Sequence, residues 1–159
     1  RAWGAGGYYG RIFLNVQGRE PEGTIPPAVY ERERTALAER LRAMNGPDGQ
    51  PLGNRVFIPQ HIYRSVRGVA PDLIVYFGDL AWRAIGTVGS GELYTSENDT
   101  GPDDANHAQY GLFIYYDPQR PGKGRKVDNA QIYDILPTLM HRFQLNGPVG
   151  LRGKILAMA

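Results

Sequence analysis

APDLIVYFG, residues 70–78, is the stretch that decides the fold class of this chain. Its centre, LIVYF at 73–77, joins β-branched, aromatic and leucine side chains without a polar residue between them. Such residues favour strands, and an unbroken apolar run is typical of a strand buried on both faces. Pro71 marks the start of the run. The stretch therefore predicts a central strand of a sheet.

Three other segments have the composition of strands. Apolar residues cluster in RIFLNV at 11–16, in RVFIP at 55–59 and in GLFIYYDP at 111–118, where Asp117-Pro118 ends the last run. By contrast, residues 1–10 are rich in glycine and predict a flexible entry. The glycine-broken residues 80–98 predict a hairpin or a strand with a bulge.

Two segments read as helices, with a single helical turn expected at 60–66. In residues 28–44 one apolar stripe recurs at helical spacing among Glu and Arg, which predicts an amphipathic helix with a solvated charged face. The stripe consists of Tyr30, Leu37, Leu41 and Met44. In residues 129–145, an N-cap at Asp134 places Pro137 in the first turn, where proline is tolerated. Together the elements predict an α/β fold with a mixed sheet flanked by helices, in a single domain over residues 1–159.

Composition excludes several classes of protein. The formal net charge is +2, and Lys and Arg are scattered among the acids, so we expect no nucleic-acid partner. No apolar run approaches the ~18 residues of a membrane span, so we expect no membrane partner. The chain has no cysteine, which excludes disulfides and thiolate metal sites. The compartment and the oligomeric state stay open.

His107 is the candidate metal ligand. It follows an acidic loop that contains Asp99, Asp103 and Asp104, and Asp103 lies four residues before it. Imidazole and carboxylate are the usual ligands of zinc. The residues alone nevertheless favour an ordinary polar turn, in which Asp and Asn bond their own backbone. We expect His141 to be solvated, and His61 stands alone without further candidate ligands.

Four segments, taken in order, resemble the type I phosphodiesterase/nucleotide pyrophosphatase family of the alkaline phosphatase superfamily. The third is similar to a His-x-x-x-Gly-Ile-Phe pattern whose histidine is the family's last metal ligand. The fourth is similar to its closing Asp-Ile-x-Pro-Thr-Leu helix. The segments are RAWGAGGYYGRIFLNVQGREPEG (1–23), APDLIVYFGD (70–79), NHAQYGLFIYYDP (106–118) and IYDILPTLMHRFQLNGPVGLRGKIL (132–156).

The resemblance implies that His107 is a metal ligand. It also implies a structural role for Asp134, Pro137 and Thr138, and it places Asp103 and Asp104 in the loop that precedes the ligand, where they could orient His107. The family's Thr or Ser nucleophile, its other Asp and His ligands and its Asp-His pair have no counterpart in this chain. The resemblance therefore implies the C-terminal part of an alkaline-phosphatase-like fold, as a portion of a longer phosphohydrolase.

The resemblance also implies a cofactor and a substrate. The resemblance implies that the full-length protein holds two divalent metal ions, with zinc as the expected metal, and acts on a phosphate-ester small molecule. We expect this chain alone to be inactive and essentially metal-free. One alternative is a phosphomutase of the same superfamily, and another is a non-catalytic module that binds a glycan or a protein partner. The aromatic residues available for such a module are Trp3, Tyr8, Tyr9, Trp82 and Tyr94.

Overall fold

The computed structural model describes residues 1–86, 89, 91–96, 105–122 and 124–157. The chain forms two compact units, Arg1–Gly111 and Leu112–Ala159. The single domain expected over residues 1–159 stays a prediction. Within the described residues, no helix has both the length and the apolar character needed to span a membrane.

A four-stranded sheet forms the centre of the first unit. The strands are β1 (Ala2–Ala5), β2 (Gly10–Leu14), β3 (Arg55–Phe57) and β4 (Leu73–Tyr76). They lie in the order β1-β2-β4-β3, and every neighbouring pair is antiparallel. The expected combination of helices and strands is confirmed, but the sheet is antiparallel rather than mixed. The turn between β1 and β2 is short and reverses the chain, and such a connection produces an antiparallel pair.

The central strand of the sheet is β4, as predicted. Leu73 and Val75 are fully buried, and Ile74, whose side chain points to the opposite face, is 8% exposed. The unbroken apolar run at 73–77 is explained by this burial on both faces. The strand predicted at 11–16 corresponds to β2, and the short strand predicted at 55–59 corresponds to β3.

The prediction of a flexible entry at residues 1–10 is wrong. Ala2 pairs with Leu14 and Ala5 with Arg11, so β1 forms the edge of the sheet beside β2. The rings of Trp3 and Phe13 stack across the pair with centroids 5.4 Å apart. Glycine and alanine carry little strand propensity of their own. The ladder to β2 and the Trp3–Phe13 contact therefore stabilise the strand.

One helix covers a face of the sheet. A 3-10 turn at Pro27–Val29 leads into α1 (Tyr30–Arg42), inside the predicted range of 28–44. Leu37 and Leu41 of this helix pack on a buried cluster of Ala38, Val56, Leu73 and Val75. The predicted apolar stripe is thus the face that meets the sheet. A single helical turn, α2 (Pro59–Ile62), follows β3, as expected.

The charged side of α1 is not fully solvated, contrary to expectation. Arg34 is 6% exposed. Its guanidinium bonds Glu31 at 2.5 Å, Gln60 at 3.2 Å and the Tyr30 hydroxyl at 3.3 Å. These bonds pair both terminal nitrogens of the buried guanidinium, while its Nε is buried without a hydrogen-bond partner among the described residues.

A buried carboxylate joins β4 to the segment after β2. Asp72 is 3% exposed. One of its oxygens accepts the N–H of Leu14 at 2.6 Å and Arg19 Nη2 at 2.7 Å, and the other accepts Arg19 Nη1 at 2.8 Å and the Tyr30 hydroxyl at 2.5 Å. Burial would raise the pKa of Asp72, but the hydrogen bonds from Arg19, Leu14 and Tyr30 outweigh it and hold the pKa below 3.8.

The second unit is built on α3 (Ile132–Arg142). The N-cap is Gln131 rather than the predicted Asp134, and Asp134 occupies the third helical position of a capping box. Its carboxylate accepts the N–H groups of Lys154 at 2.8 Å and Gln131 at 2.9 Å, which lower its pKa. The helix therefore starts three residues earlier than predicted and keeps Pro137 inside it. The structural roles expected of Asp134 and Thr138 agree with their burial, at 3% exposure each.

The strand predicted at 111–118 is wrong. The segment has no regular secondary structure, and Leu112, Ile114 and Tyr116 are 87%, 76% and 80% exposed. Arg142 holds its end through hydrogen bonds to the Tyr115 hydroxyl, at 3.1 Å, and to the Asp117 carboxylate. Strand composition produces a strand only where a second segment supplies the ladder, and no described segment pairs with this one.

The glycine-broken residues 80–98 also differ from expectation. In the described part of this range, residues 80–86, 89 and 91–96, the structure contains no strand of a hairpin. One isolated antiparallel bridge joins Ala84 to Gly7. The basic loop predicted at 119–126 is exposed at each described position, as expected.

Candidate functional site

The backbone at His107 is fixed by the residue before it. The side-chain amide of Asn106 donates to the Leu80 carbonyl at 2.5 Å, and its Oδ1 accepts the N–H of His107 at 2.8 Å. Leu80 is 7% exposed and lies four residues beyond the end of β4. His107 is therefore tethered near the end of the central strand, and not at the start of a strand over 111–116. A side chain tethered to a rigid element is held more firmly than one on a free loop.

The imidazole of His107 lies against the ring of Tyr8. The two ring centroids are 3.8 Å apart and the planes are inclined by 33°. His107 is exposed and Tyr8 is half-buried. The backbone N–H of His107 donates to Asn106, and no hydrogen bond joins its imidazole nitrogens to another of the described residues.

Tyr8 is itself held in place by its neighbours. The N–H of Gly7 donates to the Ala84 carbonyl at 2.7 Å, and the N–H of Ala84 donates to the Gly7 carbonyl at 3.0 Å. The Arg83 guanidinium lies 5.8 Å from the centroid of the Tyr8 ring, within the range of a cation–π contact. Aromatic, imidazole and guanidinium groups thus meet at one place on the first unit.

The chain turns through an unusual conformation directly after β4. Gly78, Asp79 and Leu80 have φ values of 56°, 52° and 75°. A left-handed backbone is costly for leucine, by about 1–3 kcal/mol, and such strain collects at functional sites. Asn54 supports the turn because its Oδ1 accepts the N–H of Gly78 at 2.9 Å. The hydrogen bond from Asn106 to Leu80 reaches this same turn.

A second tether connects the same regions. One nitrogen of Arg55 donates to Asp79 at 3.1 Å and to the Gln109 side chain at 2.5 Å. Gln109 lies two residues beyond His107, so the segment around His107 is held on both sides. Because the Asp79 side chain is 58% exposed, water weakens its ion pair with Arg55. The described part of the site therefore carries an exposed imidazole, a carboxylate and two guanidinium groups.

No group of three or more His, Cys, Asp or Glu side chains able to hold a metal ion occurs among the described residues. Asp99, Asp103 and Asp104 lie outside the described residues. His61 is exposed at the end of α2, and His141 is exposed on α3, as expected for a solvated histidine. Within the part of the chain that the structure describes, His107 therefore belongs to no group of three or more metal-ligating side chains.

Sequence reasoning missed the partners of His107. Tyr8 was considered only as one of several aromatics on a binding surface. The structure brings Trp82 and Tyr94 together at 5.6 Å, but it pairs Trp3 with Phe13 and Tyr9 with Tyr76. The pair Tyr8-Tyr9, flanked by glycines, was the local feature of the sequence that pointed to a functional aromatic ring at this position. No protein-family model, curated protein or solved structure matches this chain.

Proposed function

We propose that the chain is the C-terminal portion of a metal-dependent phosphodiesterase or nucleotide pyrophosphatase with an alkaline-phosphatase-like fold. In this proposal His107 is one ligand of a pair of divalent cations. The sequence resemblance supports the proposal. The structural observation that carries it is the exposed imidazole of His107, tethered through Asn106 and free of hydrogen bonds to other described residues.

The chemistry of the donor fits a zinc ligand. A neutral imidazole with an available nitrogen is a common zinc ligand, but a catalytic site usually takes three ligands from the protein. His107 supplies one, and in this proposal the others come from beyond the described residues. The bound cations would activate the nucleophile and offset the negative charge that develops on the phosphoryl oxygens. The role of this chain is to hold one donor nitrogen in a fixed position.

The test uses the protein expressed from its complete gene. His107→Ala is expected to lower metal content and to reduce kcat/KM for a bis-aryl phosphodiester by at least about 100-fold. Removal of groups that only orient a ligand already costs about 10–100-fold. Metal content is measured by mass spectrometry of the purified protein and turnover by release of the phenolate.

His141→Ala is the matched control, because His141 is also exposed but lies on α3. This variant is expected to keep the metal content and turnover of the parent. If His107→Ala retains both as well, the proposal is wrong. Activity on a phosphosugar without activity on diesters would instead favour the phosphomutase.

One observation favours a second candidate, a carbohydrate-binding module. Trp82 lines a cleft of about 300 Å³ together with Asp48, Gln50 and the turn around them. Sugars bind to protein surfaces that combine an aromatic face with polar groups. Isothermal titration calorimetry with oligosaccharides tests this candidate, and Trp82→Leu is expected to abolish binding while Trp3→Leu preserves it.

A further inference from the structure

The contact between Tyr8 and His107 is closer than an ordinary aromatic pair. Their centroids lie 3.8 Å apart, whereas aromatic pairs usually lie about 4.5–7 Å apart. The imidazole of an exposed histidine would otherwise rotate among several rotamers. At this separation the Tyr8 ring occupies one side of the imidazole and restricts that rotation.

The usual device for orienting a metal-binding histidine is different. The second ring nitrogen commonly donates to a carboxylate or a backbone carbonyl, which sets the direction of the ring. No such hydrogen bond reaches His107 from the residues that the structure describes. Asn106 fixes the backbone of His107, and the ring of Tyr8 lies against the imidazole.

We propose that Tyr8 is a positioning residue for His107, whose ring holds the imidazole in the orientation that a metal ion requires. This inference rests on the proposed function. Two backbone hydrogen bonds join Gly7 to Ala84. Because they fix the residue directly before Tyr8, the position of Tyr8 is well defined. The contact involves the face of the ring and not the hydroxyl, so a phenyl ring serves equally well.

Three variants of the complete protein test the inference. Tyr8→Leu removes the aromatic ring and is expected to weaken zinc affinity by about three- to tenfold. In this variant the metal ion itself must immobilise the His107 side chain, and this range is the entropic cost of immobilising one side chain. Tyr8→Phe is expected to retain the affinity of the parent. Tyr8→Met, which fills a similar volume without a ring, repeats the test if Tyr8→Leu folds poorly. Zinc affinity is measured at fixed pH by competition with a chromophoric chelator.

A second readout needs neither activity nor metal. In the NMR spectrum of the 159-residue chain, the ring protons of His107 are expected to be displaced upfield by the Tyr8 ring, equally in Tyr8→Phe. In Tyr8→Leu they should move to the positions of a solvated histidine, while backbone amides in β2 and β4 stay unchanged. A purely structural role of Tyr8 would shift those amides as well.

The outcomes separate this inference from the function on which it rests. If His107→Ala weakens zinc binding but Tyr8→Leu and Tyr8→Met keep full affinity, Tyr8 does not position the ligand and only the inference is overturned. If His107→Ala leaves zinc affinity unchanged, the proposed function fails and the inference with it. Weaker binding in Tyr8→Phe to the same degree as in Tyr8→Leu would assign the effect to the hydroxyl and overturn the inference.

Discussion

Asp72→Asn is expected to lower the free energy of unfolding of the first unit by about 3 kcal/mol. The two carboxylate oxygens accept four hydrogen bonds, and all four partners are donors on Leu14, Arg19 and Tyr30. In either orientation, an asparagine amide turns its NH₂ group toward two of these donors. A buried donor without an acceptor costs about 1–3 kcal/mol. Arg19 is 42% exposed and can be rehydrated, so the expected loss is below that of a fully buried ion pair.

Asp79→Asn is the matched control for that experiment. Asp79 also forms an ion pair with an arginine, at 3.1 Å, but its side chain is 58% exposed. An exposed ion pair contributes less than about 1 kcal/mol. Both tryptophans, Trp3 and Trp82, belong to the first unit, so urea unfolding followed by Trp fluorescence reports on it. Equal losses of unfolding free energy in Asp72→Asn and Asp79→Asn would contradict the assignment of this stability to the buried hydrogen bonds of Asp72.

The same carboxylate predicts a dependence of stability on pH. The folded-state pKa of Asp72 lies below its ordinary value of 3.8, so the ionised form stabilises the fold above that pH. This stabilisation is lost as the pH falls through the lower folded-state value. As the pH falls below about 4, the difference in unfolding free energy between the parent and Asp72→Asn should therefore shrink. A constant difference over this range would rule out the ionised form as the source of the stability.

Gly153→Ala is expected to destabilise the docking of the C-terminal segment on α3 by roughly 3–4 kcal/mol. Gly153 has a φ of 96°, and a Cβ at this position would lie 2.2 Å from the Tyr133 carbonyl oxygen and 2.9 Å from the nitrogen of Asp134. Those atoms belong to the helix backbone and cannot move aside cheaply. Pro137 has no N–H to bond the Tyr133 carbonyl, and the Gly153 backbone lies against that carbonyl. Strain and overpacking each cost about 1–3 kcal/mol.

Gly150→Ala separates the cost of the strained backbone from the cost of the steric overlap. Gly150 has a similar φ of 89°, but nothing lies within 4 Å of the position of its Cβ. This control should show only the cost of a left-handed backbone for alanine, about 1 kcal/mol. The measurement is amide hydrogen exchange of Lys154 and Leu156, which donate to Asp134 and Thr138. We expect exchange about 100-fold faster or more in Gly153→Ala and about tenfold faster or less in Gly150→Ala. Similar rates in the two variants would show that the close approach is unimportant.

Elements with a strong local pattern were predictable, and others were not. The apolar run of β4 and the amphipathic stripe of α1 carry their own period and composition, so both formed where expected. The glycine-rich β1 was missed because its ladder comes from β2. The segment 111–118 was wrongly assigned because strand composition does not reveal whether a pairing partner is present.

The residues of the candidate site likewise divide into those that the sequence identified and those that only the structure revealed. Local composition identified His107 as the candidate ligand, and the chain's patterns established the central strand, the main helix and the turns between them. Only the tertiary structure revealed that Tyr8 lies beside His107, that Asp72 accepts four hydrogen bonds, and that Gly153 packs against the start of α3. Each of these contacts joins residues far apart in the chain. A periodic pattern records which face of an element is buried, but it carries no information about which distant residue will lie against that face.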